Sequence, residues 1–115
     1  MVTPTMLKSQ IITRDEIMPM KRLPTHPGRI LTNELKARKL SANKLALSLG
    51  VPSGRVTDIL NGKRAVTADT AIRLGLFFGN SPQFWMNLQT KYDLAVTDYN
   101  KGSEIRAQVR DAAAV

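Results

Sequence analysis

The sequence predicts an all-α fold of five to six helices, and three observations support this prediction. Apolar residues recur every three or four positions in successive stretches from about residue 27 onward, which is the spacing of one helix face. Several of these stretches begin after serine or threonine and several end at glycine, the residues that usually cap helices. No stretch alternates apolar and polar residues in the manner of a strand.

Local signals predict the first two helices. Helix one is expected over residues 27–38, with proline in its first turn and basic residues in its last turn. Ser41 is the expected N-cap of helix two, and Gly50 takes the position where a left-handed cap is needed. The buried face of helix two has apolar residues at i, i+3, i+4 and i+7, which are Ala42, Leu45, Ala46 and Leu49.

The third helix is predicted over residues 52–60, directly after a tight turn, with Pro52 in its first turn. Its apolar side carries Val56, Ile59 and Leu60. Its polar side, with Arg55 at the edge, carries mostly short residues, which are Ser53, Gly54, Thr57, Asp58 and Asn61. Short side chains let a helix lie deep in the DNA major groove. Residues 41–64 are therefore typical of a DNA-binding helix-turn-helix, with an ordinary helical hairpin as the alternative.

Two further helices are predicted in the second half of the chain. Helix four is expected over residues 68–78, between an N-cap at Thr67 and a C-cap at Gly79, with Gly75 at a close helix crossing. Its inward residues are expected to be Ala71, Ile72, Leu74, Gly75 and Phe78. Helix five is expected from Ser81-Pro82 to about Asn100, and residues 101–103 are expected to break it before a short helix over 104–114.

These elements suggest three parts of the chain. Residues 1–20 have no convincing period and are expected to form a disordered or loosely docked tail. The alternative is a segment that becomes ordered on a partner through Leu7, Ile11, Ile12 and Ile17. Residues 21–80 would form the helix-turn-helix domain, and residues 81–115 a C-terminal helical extension available for dimerisation.

The charge distribution separates a basic half from a neutral half. The net charge of +8 lies entirely between Lys21 and Arg64, where ten basic residues accompany two acidic ones. This asymmetry indicates that one half meets a polyanion, while the other half meets protein.

Composition also excludes several classes of protein. The chain has no cysteine, so no disulfide or thiolate metal site is expected. No apolar run approaches the ~18 residues of a membrane span, and the first 20 residues lack the apolar core of a signal peptide. The expected compartment is therefore the cytoplasm, with no membrane partner.

Residues that would carry catalysis are not found in a recognisable arrangement. The single histidine, His26, lies in a proline-rich turn and is expected to be structural or solvated. No paired carboxylates, metal-ligand spacing or phosphate-binding loop is recognisable. We therefore expect no catalytic residues, no metal, no cofactor and no enzymatic activity.

Several motifs between residues 26 and 94 carry a family resemblance. They are HPG up to Gly28, LGVP from Leu49, ILNGKR from Ile59, TADTAIRL from Thr67 and SPQFWMNLQTKYDL from Ser81. This stretch strongly resembles the HigA (VapI-like) antitoxins, which belong to the Xre/Cro family of λ-repressor-like helix-turn-helix proteins. The last two motifs lie outside the helix-turn-helix and distinguish this subfamily from other repressors. Residues 1–20 and those after about Tyr99 extend beyond the resemblance.

The resemblance implies a partner and a role. The protein would be a homodimer that binds double-stranded operator DNA and represses its own transcription. It would also neutralise a HigB-like toxin, a small RelE-like ribonuclease that cuts mRNA. The alternative is an Xre-family transcriptional repressor without a toxin partner, which would lack a short RelE-like reading frame beside its own.

The candidate site residues fall into three groups. The residues expected at DNA base edges are Ser53, Gly54, Arg55, Thr57 and Asp58. The residues expected at DNA phosphates are Ser41, Asn43, Lys44, Asn61, Lys63 and Arg64. The residues expected at the dimer contact, or closing the monomer core instead, are Trp85, Leu88, Tyr92, Val96 and Tyr99. Arg55 is the best candidate for a bidentate guanine contact, and Asp58 would either accept from a cytosine amine or orient Arg55.

Overall fold

A computed structural model describes residues 24–115 as an all-α chain. The helices are α1 (Pro27–Arg38), α2 (Ala42–Leu49), α3 (Ser53–Leu60), α4 (Ala68–Phe78) and α5 (Pro82–Gln108), followed by a 3-10 turn at Ala112–Ala114. Within this part of the chain there is no strand, and the predicted fold class is confirmed. No helix among these five is long and apolar enough to cross a membrane. The predictions for residues 1–20 lie outside the described residues.

The chain divides into two compact units. One unit is Thr25–Asp93, which contains α1 to α4 and the first part of α5. The other unit includes Leu94–Val115, with the remainder of α5 and the 3-10 turn.

Most of the predicted helix caps are present. The Ser41 hydroxyl accepts a hydrogen bond from the Lys44 amide at 3.1 Å, and the Thr67 hydroxyl accepts one from Thr70 at 3.4 Å. Gly50 and Gly79 end α2 and α4 in the left-handed conformation, with φ of 73° and 78°. The predicted start of the third helix is wrong by one residue. Pro52 is extended and precedes α3.

The core of the Thr25–Asp93 unit is formed by the apolar faces of all five helices and by the segment before α4. Its buried hydrophobic residues are Leu31, Leu35, Leu45, Ala46, Leu49, Val56, Ile59, Val66, Ala71, Leu74 and Trp85. The Trp85 side chain is only 1% exposed, and its indole N–H donates to the Asn80 side-chain oxygen at 2.9 Å. The Trp85 ring therefore packs inside the monomer core, which is the alternative to a dimer contact that the sequence left open.

Two predictions for α4 need correction. Ile72 is 51% exposed, because the buried stripe runs along Ala71, Leu74 and Gly75 and Ile72 lies one residue off it. Gly75 does not mark a helix crossing. A Cβ there would lie 2.7 Å from the Asn80 carbonyl oxygen, so the missing side chain makes room for the turn that leads into α5.

The start of α1 packs directly against the end of α3. The His26 imidazole Nδ1 accepts from the Gly28 amide at 2.9 Å and so caps α1. A Cβ on Gly28 would overlap the Ile59 carbonyl oxygen, so only glycine allows this approach. The Tyr92 and His26 rings are in an edge-to-face contact, with 4.9 Å between their centroids. Of the two alternatives expected for His26, structural or solvated, the structure therefore supports the structural one.

The His26 cap predicts a loss of stability in mild acid. Burial lowers the pKa of His26, and the Asp93 carboxylate opposes this shift only in part. The folded state favours the neutral ring. In the unfolded chain the histidine has its ordinary pKa of about 6.5, so the unfolded chain binds more protons than the folded one once the pH falls to about this value. The contribution of the neutral His26 ring to the free energy of unfolding should thus be fully present above about pH 7. It should decrease as the pH falls from there towards the lowered pKa of the folded state.

Urea unfolding at about pH 7.5 and about pH 5.5 measures this loss. The matched variant is His26→Asn, which retains a capping acceptor but does not titrate in this range. We expect the variant to lose less stability than the wild type between the two pH values. Equal losses of stability in the variant and the wild type would contradict the assignment of the acid sensitivity to His26.

The helix α5 is longer than the sequence predicts. Residues 101–103 do not break it, and the separate helix predicted over 104–114 is replaced by the end of α5 and the 3-10 turn. Arg106 donates to the Asp98 carboxylate at 2.8 Å, and the two side chains close over Gly102. A Cβ on Gly102 would clash with both, so this glycine accommodates an ion pair that bridges two turns of the helix.

Candidate nucleic-acid interface

The helix α3 is held from behind by its apolar residues and presents a polar surface. Val56 and Ile59 are buried. Ser53, Gly54 and Thr57, from the opposite side, are all exposed. The Thr57 hydroxyl donates to the Ser53 carbonyl oxygen at 3.0 Å and keeps its own oxygen available as an acceptor. Within residues 24–115 no other element covers these three residues.

Arg55 lies at the edge of this surface and is held by a carboxylate from α4. Its Nη1 atom is 3.0 Å from Asp69 Oδ1, and the Arg55 side chain is 31% exposed. Asp58 lies elsewhere on α3 and has its own cation, with Arg64 Nη2 at 3.7 Å from Asp58 Oδ2. The suggestion that Asp58 orients Arg55 is therefore wrong: Asp69 is the acidic partner of Arg55.

Exposed polar and cationic residues lie on the two segments next to α3, which are the start of α2 and the turn that follows α3. Ser41, Asn43 and Lys44 are exposed around the start of α2. Asn61, Lys63 and Arg64 are exposed directly after α3, where Gly62 turns the chain with φ of 75°. A polar helix face between exposed cations and a helix N-terminus suits a helix lying in a groove between two phosphate backbones.

Three residues that support this surface were missed by the sequence analysis. Arg73 donates through Nε to Asp69 Oδ1 at 2.7 Å and through Nη1 to the Leu49 carbonyl oxygen at 2.8 Å. Gln89, only 4% exposed, accepts from the Val66 amide at 2.8 Å and so anchors the segment that follows Arg64. Asp69 and Arg73 are four residues apart, a spacing that the sequence could have signalled. The contacts of Arg55 with Asp69, of Arg73 with Leu49 and of Gln89 with Val66 span 14 to 24 residues, and no local pattern signals them.

The other predicted dimer residues differ in exposure. Leu88 and Tyr92 are half-buried within the Thr25–Asp93 unit, where Leu88 packs against the core and Tyr92 against His26. Val96 is half-buried and Tyr99 is 58% exposed in the unit that includes Leu94–Val115. These four residues stay candidates for a dimer contact.

The five helices and the exposed face of α3 together define a helix-turn-helix protein of the Xre type, and comparison with known proteins agrees. The helix-turn-helix family HTH_3 matches residues 31–85. Virulence-associated protein I of Dichelobacter nodosus is 47% identical over 79 residues, which are 68% of this chain and 73% of that protein.

Two solved structures are similar over nearly their whole length. A HigA-family addiction module antidote protein from Coxiella burnetii shares 50% identity and a TM-score of 0.73, over 76% of this chain and 97% of that one. The Pseudomonas aeruginosa antitoxin HigA, solved with the higBA promoter, shares 42% identity and a TM-score of 0.74, over 77% and 98% of the two chains. Within the Xre class, this chain therefore belongs to the HigA (VapI-like) antitoxin family.

Proposed function

We propose that this protein is an antitoxin that binds its own operator as a homodimer and neutralises a RelE-like, mRNA-cleaving toxin. The observation that carries the DNA-binding half is the exposed face of α3, with Ser53, Gly54 and Thr57 open to a duplex. In this proposal the side chains of α3 contact base edges, while Lys44, Lys63 and Arg64 contact phosphates. Two copies would place their α3 helices about 34 Å apart on a palindrome.

Two further observations support operator binding. The basic residues are concentrated between Lys21 and Arg64, the part of the chain that contains α3. The similar P. aeruginosa antitoxin was solved with the promoter of its own operon. Together they favour a regulator that binds near its own gene.

Fluorescence anisotropy tests this half of the proposal. A duplex taken from the region upstream of the protein's own coding sequence is compared with a scrambled duplex of the same composition. We expect the upstream duplex to bind at least roughly 1,000-fold more tightly at physiological salt, with two chains per site. Equal affinity for the two duplexes would refute sequence-specific operator binding.

Co-expression tests the antitoxin half. The short reading frame beside this one is expressed with and without this chain, and growth and mRNA integrity are measured. We expect growth arrest and mRNA cleavage by the neighbour alone, and protection when both are present. A chain that binds its operator but has no such neighbour, or protects against none, would instead be an Xre-family repressor.

A truncated chain locates the toxin contact. Deletion of residues 1–20 keeps every residue of the predicted helix-turn-helix domain, residues 21–80, so we expect operator binding to persist. Loss of toxin protection with retained operator binding would place the toxin contact in that segment. Full protection by the truncated chain would place it among the described residues instead.

Lys63→Ala should weaken binding to every duplex alike. Lys63 is exposed just after α3, and a lysine that neutralises one phosphate carries no sequence information. We expect similar losses on operator and scrambled DNA and a salt dependence of log Kd that is shallower by about 0.9 for each Lys63–phosphate contact removed, or by about 1.8 for a site that binds two chains. The matched control is Lys91→Ala, which removes an exposed lysine from α5 and should leave the salt dependence unchanged. A loss confined to the operator would contradict a phosphate role for Lys63.

A further inference from the structure

Asp69 connects α3 to the turn of the helix-turn-helix through two arginines. Its Oδ1 atom accepts from Arg55 Nη1 at 3.0 Å and from Arg73 Nε at 2.7 Å. Arg73 in turn donates to the Leu49 carbonyl oxygen, at the end of α2, at 2.8 Å. The contacts form a continuous chain from the α2 backbone to the α3 side chain that is predicted to contact a base.

The position of Asp69 is itself well defined. It lies in the first turn of α4, next to the Thr67 cap, where a carboxylate also favours the helix dipole. Arg73 lies directly beside the C-cap of α2, because a Cβ built on Gly50 would be in ordinary van der Waals contact with Arg73 Nη1, at 3.4 Å. The hydrogen bond from Arg73 lowers the pKa of Asp69, with a further contribution from Arg55, so the carboxylate is ionised at neutral pH.

We propose that Asp69 is a specificity-determining positioning residue, which acts on DNA only through Arg55; this inference rests on the proposed operator binding. Arg55 uses Nη1 to bond Asp69, and within residues 24–115 this is the one hydrogen bond that its guanidinium makes. An arginine has five N–H groups in a rigid planar fork, so fixing one edge orients the remaining donors for a base. Without Asp69 the side chain would sample several rotamers and lose that orientation.

An opposite role for the same contact makes a different prediction. If Asp69 held Arg55 away from DNA, its removal would release a cation and tighten operator binding. If Asp69 acted only through its negative charge, its removal would tighten binding to all duplexes equally. A positioning role instead weakens binding to the operator relative to other DNA.

The experiment compares wild type, Asp69→Asn, Arg55→Ala and the double variant on operator and scrambled duplexes at constant salt. We expect Asp69→Asn to lower the operator-to-scrambled affinity ratio by about tenfold, within the range of one good base contact. Binding to scrambled DNA should stay within roughly threefold of wild type. In the Arg55→Ala background, Asp69→Asn should cause no further loss of discrimination.

The control for the lost charge is Glu34→Gln. Glu34 pairs with Arg38 four residues later on α1, just as Asp69 pairs with Arg73 on α4. Glu34→Gln should therefore keep the wild-type ratio. Thermal melting verifies that each variant is folded, and Asp69→Glu, which restores the carboxylate, should recover part of the ratio.

The outcomes separate this inference from the function on which it depends. A wild-type chain that does not distinguish the duplexes refutes operator binding itself. If wild type discriminates and Arg55→Ala discriminates less, an unchanged or raised ratio in Asp69→Asn overturns the positioning role alone. A wild-type ratio in Arg55→Ala also overturns it, because Asp69 is proposed to act only through Arg55. An equal loss from Asp69→Asn in the presence and absence of Arg55 would also overturn it.

Discussion

Replacing Arg55 with alanine is expected to remove much of the protein's preference for its operator over scrambled DNA. A bidentate arginine–guanine contact contributes about 1–3 kcal/mol of discrimination, which corresponds to a loss of roughly 5- to 150-fold. Arg55 is the one arginine in α3, and its carboxylate partner lies outside that helix, on α4. The measurement is the ratio of the two dissociation constants at constant salt, because each constant alone depends strongly on ionic strength.

A second arginine provides the matched control. Arg38 also forms an exposed ion pair, with Glu34 at 3.3 Å, but it lies on α1 and outside the predicted DNA contacts. Arg38→Ala should therefore retain the wild-type ratio. The assignment of Arg55 fails if Arg55→Ala keeps the ratio, or if both variants lose it to the same extent.

Replacing Gly28 with alanine is expected to destabilise the fold strongly. The added methyl group would overlap the Ile59 carbonyl oxygen and lie 2.9 Å from the carbonyl carbon. These atoms belong to the α3 backbone and cannot move aside as a side chain would, so α1 and α3 must separate. We expect a loss of about 3 kcal/mol in the free energy of unfolding, the upper part of the range for overpacking, and a melting temperature lower by roughly 10–20 °C.

Gly54→Ala is the control for this substitution. Gly54 is also a helical glycine, but a Cβ there would meet no atom within 4 Å. Alanine favours a helix over glycine by up to about 1 kcal/mol, so the variant should be as stable as wild type or slightly more so. The same methyl group would project from the face predicted to enter the groove, so operator affinity should fall although stability does not. Equal stability of the Gly28→Ala and Gly54→Ala variants would contradict the close packing of α1 on α3.

Features that depend on a few neighbouring residues were predictable from the sequence. Ser41 and Gly50 cap α2 because each needs only the hydrogen-bonding groups and backbone freedom of its own turn. Lys39 is a helix cap that the sequence does not signal. It closes α1 in the left-handed conformation with φ of 54°, at a position where the sequence has neither glycine nor asparagine.

Features that depend on distant partners were not predictable. The pairing of Arg55 with Asp69 spans 14 residues, and it follows from where α4 begins relative to α3 rather than from either residue's neighbours. Trp85 belongs to an apolar stripe whose spacing fits a monomer core and a dimer contact equally well, and only its burial distinguishes the two.

The length of α5 has a similar cause. A glycine flanked by lysine and serine usually indicates a break, and Gly102 costs a helix up to about 1 kcal/mol relative to alanine. The ion pair between Asp98 and Arg106 closes over this position, and its residues are eight apart. A pair at that spacing is not one of the i,i+3 or i,i+4 pairs by which a sequence signals that a helix continues.

The central claim is that the exposed face of α3 contacts DNA, and a nuclear magnetic resonance titration tests it most directly. The ¹⁵N-labelled protein is titrated with the upstream duplex and, separately, with the scrambled duplex at the same salt concentration. We predict that the amide signals of Ser53, Gly54 and Thr57 shift strongly with the upstream duplex and much less with the scrambled one. Unchanged signals at these three residues, with the shifts confined to α5, would contradict the claim.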